Sequence, residues 1–267
     1  MSRMNIEKAE VAKRFAKAHQ SYGTHAVAQQ NICKHLIALM QLHLDPNVQL
    51  AKLKRIFEIG CGSGYLTQLL HHHFQIQHIY LNDLYVEVEA YFDHTQIAAQ
   101  VEWCIGDAEK NTFPNALDLI VSSSALQWMT DLDLLFSKCR HALITSGYLC
   151  FSTFGQDNLK EIKALTDQGL DYIDLDDLRQ KLEHQGFEVI HISEQCEQLS
   201  FEHPKQVLQH LKATGVTATA QKYRWTKQSL TQFYSNYQKF SHQDDQGQQH
   251  YQLTYHPIYV IARKKTQ

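Results

Sequence analysis

The sequence predicts an α/β fold in which a mostly parallel sheet carries helices on both faces. Three observations predict it. Short apolar runs alternate with helical stretches from Arg55 to Ile192. A glycine-rich turn, Gly60-Cys61-Gly62-Ser63-Gly64, follows the first of those runs. Acidic residues, Asp83 and Asp107, then close the second and third runs.

The elements follow in order. Ile6, Ala9, Ala12, Phe15 and Ala16 recur at helical spacing until Ser21-Tyr22-Gly23 breaks the run. A second helix, from Thr24 to about His43, sets Val27, Ala28, Ile32, Leu36 and Leu39 on one face, and Asp45-Pro46-Asn47 ends it. Arg55–Ile59 is short and apolar, as a strand buried on both faces would be. Further strands are expected at Ile76–Asn82, Val101–Ile105, Leu117–Ser122, Tyr148–Thr153 and Phe187–Ile192. Between them, Asp131–Leu143 buries Leu132, Leu135, Phe136 and Cys139. Leu175, Leu178 and Leu182 form another stripe, with Asp174 at the N-cap and Gly186 just past the end.

The alternation stops between about Leu199 and Gln249. Pro204 suits the first turn of a helix carrying Val207, Leu208 and Leu211. A second helix, after Trp225-Thr226, places Leu230, Phe233, Tyr234 and Tyr237 together. Asp244–Gln249 is a polar turn, and Tyr251–Ala262 reads as one last strand. The expected organisation is a main domain of residues 1–198 and 250–267, led by a helical lid (1–44), with a helical cap (199–249) inserted before the final strand.

Composition excludes several classes. The chain has 267 residues, 25 Lys+Arg against 28 Asp+Glu, and 43% hydrophobic residues, enough for a core and too apolar for general disorder. No apolar run approaches the ~18–20 residues that span a bilayer. Arg3, Glu7, Lys8 and Glu10 interrupt any signal-peptide core. A net charge of −3 argues against a chain that coats nucleic acid. The expectation is a cytoplasmic protein with no membrane and no nucleic-acid partner. The six cysteines form no CxxC pair, and the run His71-His72-His73 cannot share one helix face, so no metal site is expected.

The chemistry concentrates at Glu58-Ile59-Gly60-Cys61-Gly62-Ser63-Gly64-Tyr65. A dinucleotide fingerprint would place its third glycine at 65, which is Tyr65, and no Lys-Ser/Thr follows as in a P-loop. Asp83, about twenty residues on, is placed to accept from both hydroxyls of a ribose, and Asp107 to accept from an adenine amino group.

These residues resemble the class I S-adenosylmethionine-dependent methyltransferases, tightly from Arg55 to Phe151. The resemblance implies a Rossmann-like sheet of seven strands and S-adenosylmethionine as cofactor. It implies cofactor contacts at Glu58, Gly60, Gly62, Gly64, Asp83, Leu84, Asp107, Ala108 and Ser123. Four further tags narrow the family: Ser21-Tyr22 with His25-Ala26 and Gln29; Ala125-Leu126-Gln127-Trp128; Phe154-Gly155 with Asn158-Leu159-Lys160-Glu161; and Leu253-Thr254-Tyr255-His256. Together they are similar to the malonyl-acyl-carrier-protein O-methyltransferases of biotin synthesis. That family implies methylation of the free carboxylate of a malonyl thioester, on acyl carrier protein or on coenzyme A. The chain departs from the family in having Gly23 after Tyr22, where an acidic residue is usual, and serines at 122–124, where Asn is frequent.

A malonyl carboxylate, with a pKa of ~4, is already an anion at pH 7, so no general base is needed. Tyr22 and His256 are candidates to orient it, with Gln127, Trp128, Lys212 and Arg224 as further substrate contacts. Three other readings share the fold motifs. A base or protein N-methyltransferase often carries Asn/Asp-Pro-Pro-Tyr/Phe after the fourth strand, where this chain has Ser122-Ser123-Ser124-Ala125. A C- or O-methyltransferase of another small molecule, such as a quinone precursor, lacks only the four tags. A non-catalytic S-adenosylmethionine-binding regulator would keep the glycine turn and show no turnover.

Overall fold

The computed structural model describes residues 8, 11–13, 26–46, 53–92, 97–215 and 225–266. Their contacts divide the chain into two compact units. One holds Gln29–Thr153, Ile173–Glu194 and Ile258–Gln267; the other holds Phe154–Tyr172, Gln195–Pro257 and the described residues before Gln29.

The first unit is built on a seven-stranded sheet. Its strands are β1 (Leu53–Ile59), β2 (Ile76–Asn82), β3 (Gln100–Trp103), β4 (Leu117–Ser123), β5 (Leu143–Phe154), β6 (Phe187–Glu194) and β10 (Pro257–Lys264). The order across it is β3-β2-β1-β4-β5-β10-β6. Neighbours β1 to β5 run parallel, and β10 is antiparallel to β6. The strand order therefore reverses between β1 and β4, where the crevice of an open α/β sheet lies, beyond the carboxyl ends of the strands.

Burial explains why these segments are strands. Ile56, Phe57 and Ile59 of β1, and Leu119, Ile120 and Val121 of β4, are all buried, as central strands covered on both faces require. Helices α1 (Val27–His43), α2 (Tyr65–His73), the short α3 (Val88–Tyr91), α4 (Leu132–Ala142) and α6 (Leu175–His184) accompany the strands. Phe57, Phe113, Leu135, Phe136, Phe151, Leu178, Leu182 and Phe187 share one core. Helix starts are set by side-chain caps: Asp131 accepts from the Leu134 N–H and Asp174 from the Asp177 N–H. Gly186, at φ 80°, follows α6 as expected.

Three expectations change. Tyr251–Ala262 is not one strand but two, β9 (Gln249–Tyr255) and β10, which belong to different sheets. The break falls at His256-Pro257, where proline lacks a ladder donor and restricts the residue before it. The His256 backbone turns aside instead: its N–H donates to Asn158 Oδ1 (3.2 Å) and its carbonyl accepts from Gly155 (2.8 Å). Second, the expected helical cap is an α+β unit. Besides α7 (Pro204–Ala213) and α8 (Lys227–Asn236) it holds α5 (Lys160–Thr166) and a three-stranded antiparallel sheet. That sheet joins β7 (Glu197–Phe201), β9 and β8 (Ser241–Gln243) in the order β7-β9-β8. Third, the second helix of the expected lid lies almost wholly in the sheet unit, with Ile32, Leu36, Ile37 and Met40 buried and His35 against Tyr259 at 4.6 Å. The rest of the first expected helix and the segment with Tyr22 lie outside the described residues.

In the second unit Glu161, at the start of α5, is 2% exposed and accepts from both the backbone N–H and the hydroxyl of Thr254 in β9. Tyr237 is fully buried, and its hydroxyl donates to the Gln252 carbonyl at 2.9 Å. Glu161→Ala leaves two buried donors of Thr254 without an acceptor, and we expect a loss of ~2–5 kcal/mol in urea unfolding followed by circular dichroism. Glu161→Gln, which keeps one acceptor oxygen, should lose less; equal unfolding midpoints for Ala, Gln and wild type would show that Thr254 finds other acceptors.

Candidate active site

The glycine turn leaves β1 and enters α2. Gly60 and Gly64 have φ of 72° and 77°, in the left-handed region that a side chain disfavours. Space is equally restrictive. A Cβ on residue 60 would stand 2.5 Å from the Ala125 Cβ, and one on residue 64 would stand 2.4 Å from the Phe92 ring. At Gly62 (φ 52°) a Cβ would meet nothing within 4 Å among the described residues, so this point of the turn borders open space there.

The next two residues that matter are Asn82 and Asp83, at the end of β2. The Asn82 carbonyl accepts from Gly60 and Cys61, both at 2.9 Å. Its side-chain amide donates to the carbonyls of Cys104 (2.7 Å) and Gly106 (2.9 Å), after β3. The Asp83 carboxylate accepts from the Gly62 N–H (2.8 Å) and the Leu84 N–H (2.7 Å), one per oxygen. With the Tyr85 N–H, three donors face a carboxylate that has about four acceptor positions, so at least one is left over. Burial pushes the Asp83 carboxyl up to about 6, against the Gly62, Leu84 and Tyr85 N–H groups, which pull it down.

Glu58 lies deeper. It is 1% exposed, and the Thr67 hydroxyl of α2 donates to it at 2.7 Å. Burial, opposed by the Thr67 bond and helped by the nearby Asp83 charge, pushes its carboxyl up to about 8. It is therefore mostly protonated at pH 7.

After β3, Asp107 folds on itself. Its Oδ1 accepts from the Glu109 N–H (3.0 Å) and its carbonyl from Lys110 and Asn111. Ala108 is buried, and its carbonyl takes the ammonium of Lys138 (2.6 Å), which also lies 4.5 Å from the Phe113 ring centre. The Glu109 carboxylate reaches the loop after β4, accepting from the backbone of Thr130 (2.9 Å) and Asp131 (2.6 Å).

After β4 the three serines have different surroundings. Ser122 donates to the Ile59 carbonyl at 2.7 Å, joining β4 to β1. Ser123, a predicted cofactor contact, shares its hydroxyl with Ser152 (3.0 Å) and the Cys33 thiol (3.3 Å). Ser124, which the sequence analysis did not single out, has φ 55° and a buried hydroxyl with no hydrogen-bond partner among the described residues. Gln127 donates to the Ser124 carbonyl at 2.6 Å, while its own Oε1 is buried without a partner; Trp128 is 9% exposed.

The sheet unit thus brings together Glu58, the three glycines, Asp83, Leu84, Asp107, Ala108, Ser123, Gln127 and Trp128 at the carboxyl ends of β1 to β4. The other candidates fall elsewhere. His256 lies in the second unit, with its ring in the space a Cβ on residue 155 would occupy and its Nδ1 accepting from the Asp157 N–H at 3.1 Å. Lys212 is exposed near the end of α7. Tyr22 and Arg224 lie outside the described residues.

Comparison with known proteins agrees with this geometry. Residues 57–151 match the family model described as a methyltransferase domain. A malonyl-[acyl-carrier protein] O-methyltransferase of Acinetobacter baylyi is 52% identical over 98% of both chains. The chain belongs to the malonyl-[acyl-carrier protein] O-methyltransferase family. The relative of that name from Haemophilus influenzae is 37% identical, over 97% of this chain and 95% of its own. Solved structures show the methyltransferase fold at lower identity. The YcgJ protein of Bacillus subtilis aligns at TM-score 0.60 and 14% identity, over 88% of this chain and all of that one. The N-methyltransferase NodS of Bradyrhizobium japonicum, solved with S-adenosyl-L-homocysteine, aligns at TM-score 0.52 and 12% identity, over 87% of each chain. The malonyl-[acyl-carrier protein] O-methyltransferase family and the fold that the sequence analysis expected are thereby confirmed.

The buried carboxyls make stability depend on pH. Glu58 has a folded-state value near 8 against 4.5 in the open chain, so between these values the folded state holds the extra proton. Stability is then greatest at the acid end of that window and falls as pH rises. We expect unfolding free energy to drop by roughly 2 kcal/mol from pH 6 to 8, and Glu58→Gln to flatten that slope. An equal slope in the variant would mean that Glu58 ionises as freely folded as unfolded.

Proposed function

We propose that this chain transfers the methyl group of S-adenosylmethionine to the free carboxylate of a malonyl thioester on acyl carrier protein, an early step of biotin synthesis. The observation that carries the reading is the 52% identity over 98% of the chain to a relative of that name. The residues present fit the donor molecule. Among the described residues the glycine turn opens at Gly62 onto unfilled space, and an acidic side chain with acceptor capacity to spare stands beside it.

When bound, S-adenosylmethionine would supply an electrophilic methyl carbon to a carboxylate oxygen, with the neutral thioether S-adenosylhomocysteine as leaving group. Asp83 would accept from the ribose hydroxyls with the acceptor capacity that the Gly62, Leu84 and Tyr85 N–H groups leave over. Leu84 lines the same wall. Asp107 and Ala108 would hold the adenine, and Gly60, Gly62 and Gly64 would let the backbone approach it. Glu58 lies under the turn and sets its position through Thr67. Ser123 holds the end of β4 to Ser152 of β5, and from there would border the cofactor.

On the substrate side the chain has little chemistry to perform. The carboxylate is already ionised, so alignment of oxygen, carbon and sulfur is the main task, and orientation alone can supply effective molarities of ~10⁵ M or more. Gln127 and Trp128 border that side. Tyr22, His256, Lys212 and Arg224 are the proposed partners of the malonyl group and its carrier. The six free cysteines support a reducing compartment, the cytoplasm. No helix among the described residues is long and apolar enough to cross a membrane.

Labelled S-adenosylmethionine should methylate malonyl-acyl carrier protein and leave acetyl-acyl carrier protein unlabelled. Comparable labelling of both would move the acceptor away from the carboxylate. No labelling of either, with S-adenosylmethionine still bound, would favour the regulator reading.

Asp83→Ala should weaken S-adenosylmethionine binding at least tenfold by calorimetry, the range for lost hydrogen bonds to a charged group. Unchanged affinity would remove Asp83 from the cofactor site.

A further inference from the structure

We infer that the Ser124 hydroxyl is a binding group for the substrate, donating to the malonyl carboxylate oxygen that does not attack. The inference rests on the function proposed above and extends it to a residue without an assigned role. Three serines end β4, and two have their hydroxyls engaged within the sheet: Ser122 on the Ile59 carbonyl, Ser123 on Ser152 and Cys33. Ser124 differs in both backbone and side chain.

Its φ of 55° is one that a residue with a Cβ holds only when its surroundings impose it. Here they do. The Ser124 N–H donates to Ser152, with carbonyl and hydroxyl oxygens both at 3.2 Å, and the Ser124 carbonyl accepts from Gln127. Backbone bonds on both sides thus aim the side chain, and the side chain contributes no bond of its own. The hydroxyl is nevertheless buried, and a buried O–H without an acceptor is unfavourable.

Position then names the acceptor. Ala125, the next residue, packs against the glycine turn so closely that residue 60 has no room for a Cβ. Ser124 therefore stands at the strand-order reversal, one residue from the turn that holds the cofactor. The group that the reaction brings there is a carboxylate, which accepts and cannot donate. Gln127 Oε1, a buried atom three residues on that also has no partner among the described residues, is an acceptor and cannot pair with that carboxylate. Methylation removes the carboxylate charge, so a Ser124 bond holds the substrate more tightly than the transition state or the ester product. The bond is expressed in KM more than in kcat.

Two variants separate this role from a structural one. Ser124→Ala removes the hydroxyl and keeps the left-handed backbone; Ser124→Gly removes the hydroxyl and relieves the backbone. Steady-state kinetics with malonyl-acyl carrier protein, calorimetry with S-adenosylmethionine and thermal melting should be run on both full-length variants. We expect KM for the malonyl substrate to rise at least tenfold in both, kcat to change less, and S-adenosylmethionine affinity to stay level. Melting temperature should hold in Ser124→Ala and rise in Ser124→Gly. A KM unchanged in both variants overturns the proposal, as does a parallel loss of S-adenosylmethionine affinity, which would make Ser124 a cofactor contact. A wild-type protein that methylates no malonyl thioester fails earlier and overturns the function itself.

Discussion

Two adjacent residues, Asn82 and Asp83, hold the working edge of the sheet together. A tight turn with three glycines leaves backbone N–H groups that no helix or ladder satisfies, and buried N–H groups must be paired. The Asn82 carbonyl takes two of them and the Asp83 carboxylate a third, while the Asn82 amide and the Asp83 carbonyl fasten the segment after β3. Three loops from three strands thus have one anchor. Ser122 adds the fourth by bonding the end of β4 to the end of β1. The open space at Gly62, the packing of Ala125 and the aim of Ser124 all follow from that anchoring.

The same anchor explains the electrostatics. Glu58 and Asp83 are both acidic and both buried, yet they differ in what satisfies them. Asp83 receives backbone N–H groups, which favour its anion; Glu58 receives one hydroxyl and is held largely neutral. One carboxylate beside the turn and one carboxylic acid beneath it is a milder field than two anions would make. Binding a cation there shifts that balance, because a positive charge favours the ionised form of both.

Much of the fold was legible because central strands and capped helices obey local rules. β2 was expected at the residues where it forms, and Asp174, Pro204 and Thr226 mark helix starts by chemistry that acts over three residues. The small sheet of the second unit was not legible. β7 (EQLSF) and β8 (SHQ) are short, polar and partly exposed; β7 becomes a strand because β9 offers it a partner across a long sequence separation, and β8 because it forms a hairpin with β9. The turn Asp244–Gln249 was read from its residues, and so was the strand after it, as the start of Tyr251–Ala262; β8, before the turn, was missed. In the site, residue types showed the glycines and carboxylates. They could not show that Ser123 is engaged and Ser124 is not, since that depends on Cys33 and Ser152, distant in sequence.

The place of β10 has a consequence for how the protein is made. It lies between β5 and β6, although among the described strands it comes last in the chain. While residues 257–264 are still in the ribosome, β5 and β6 have no strand between them, and each presents an unpaired edge. Such edges invite pairing with other chains. β10 is also the strand whose Ile258, Val260 and Ala262 complete the core beside Phe187. A nascent chain that carries the whole glycine turn and every cofactor contact proposed above therefore still has a gap in its sheet. Emergence of residues 257–264, more than synthesis of the site, is the event that closes it.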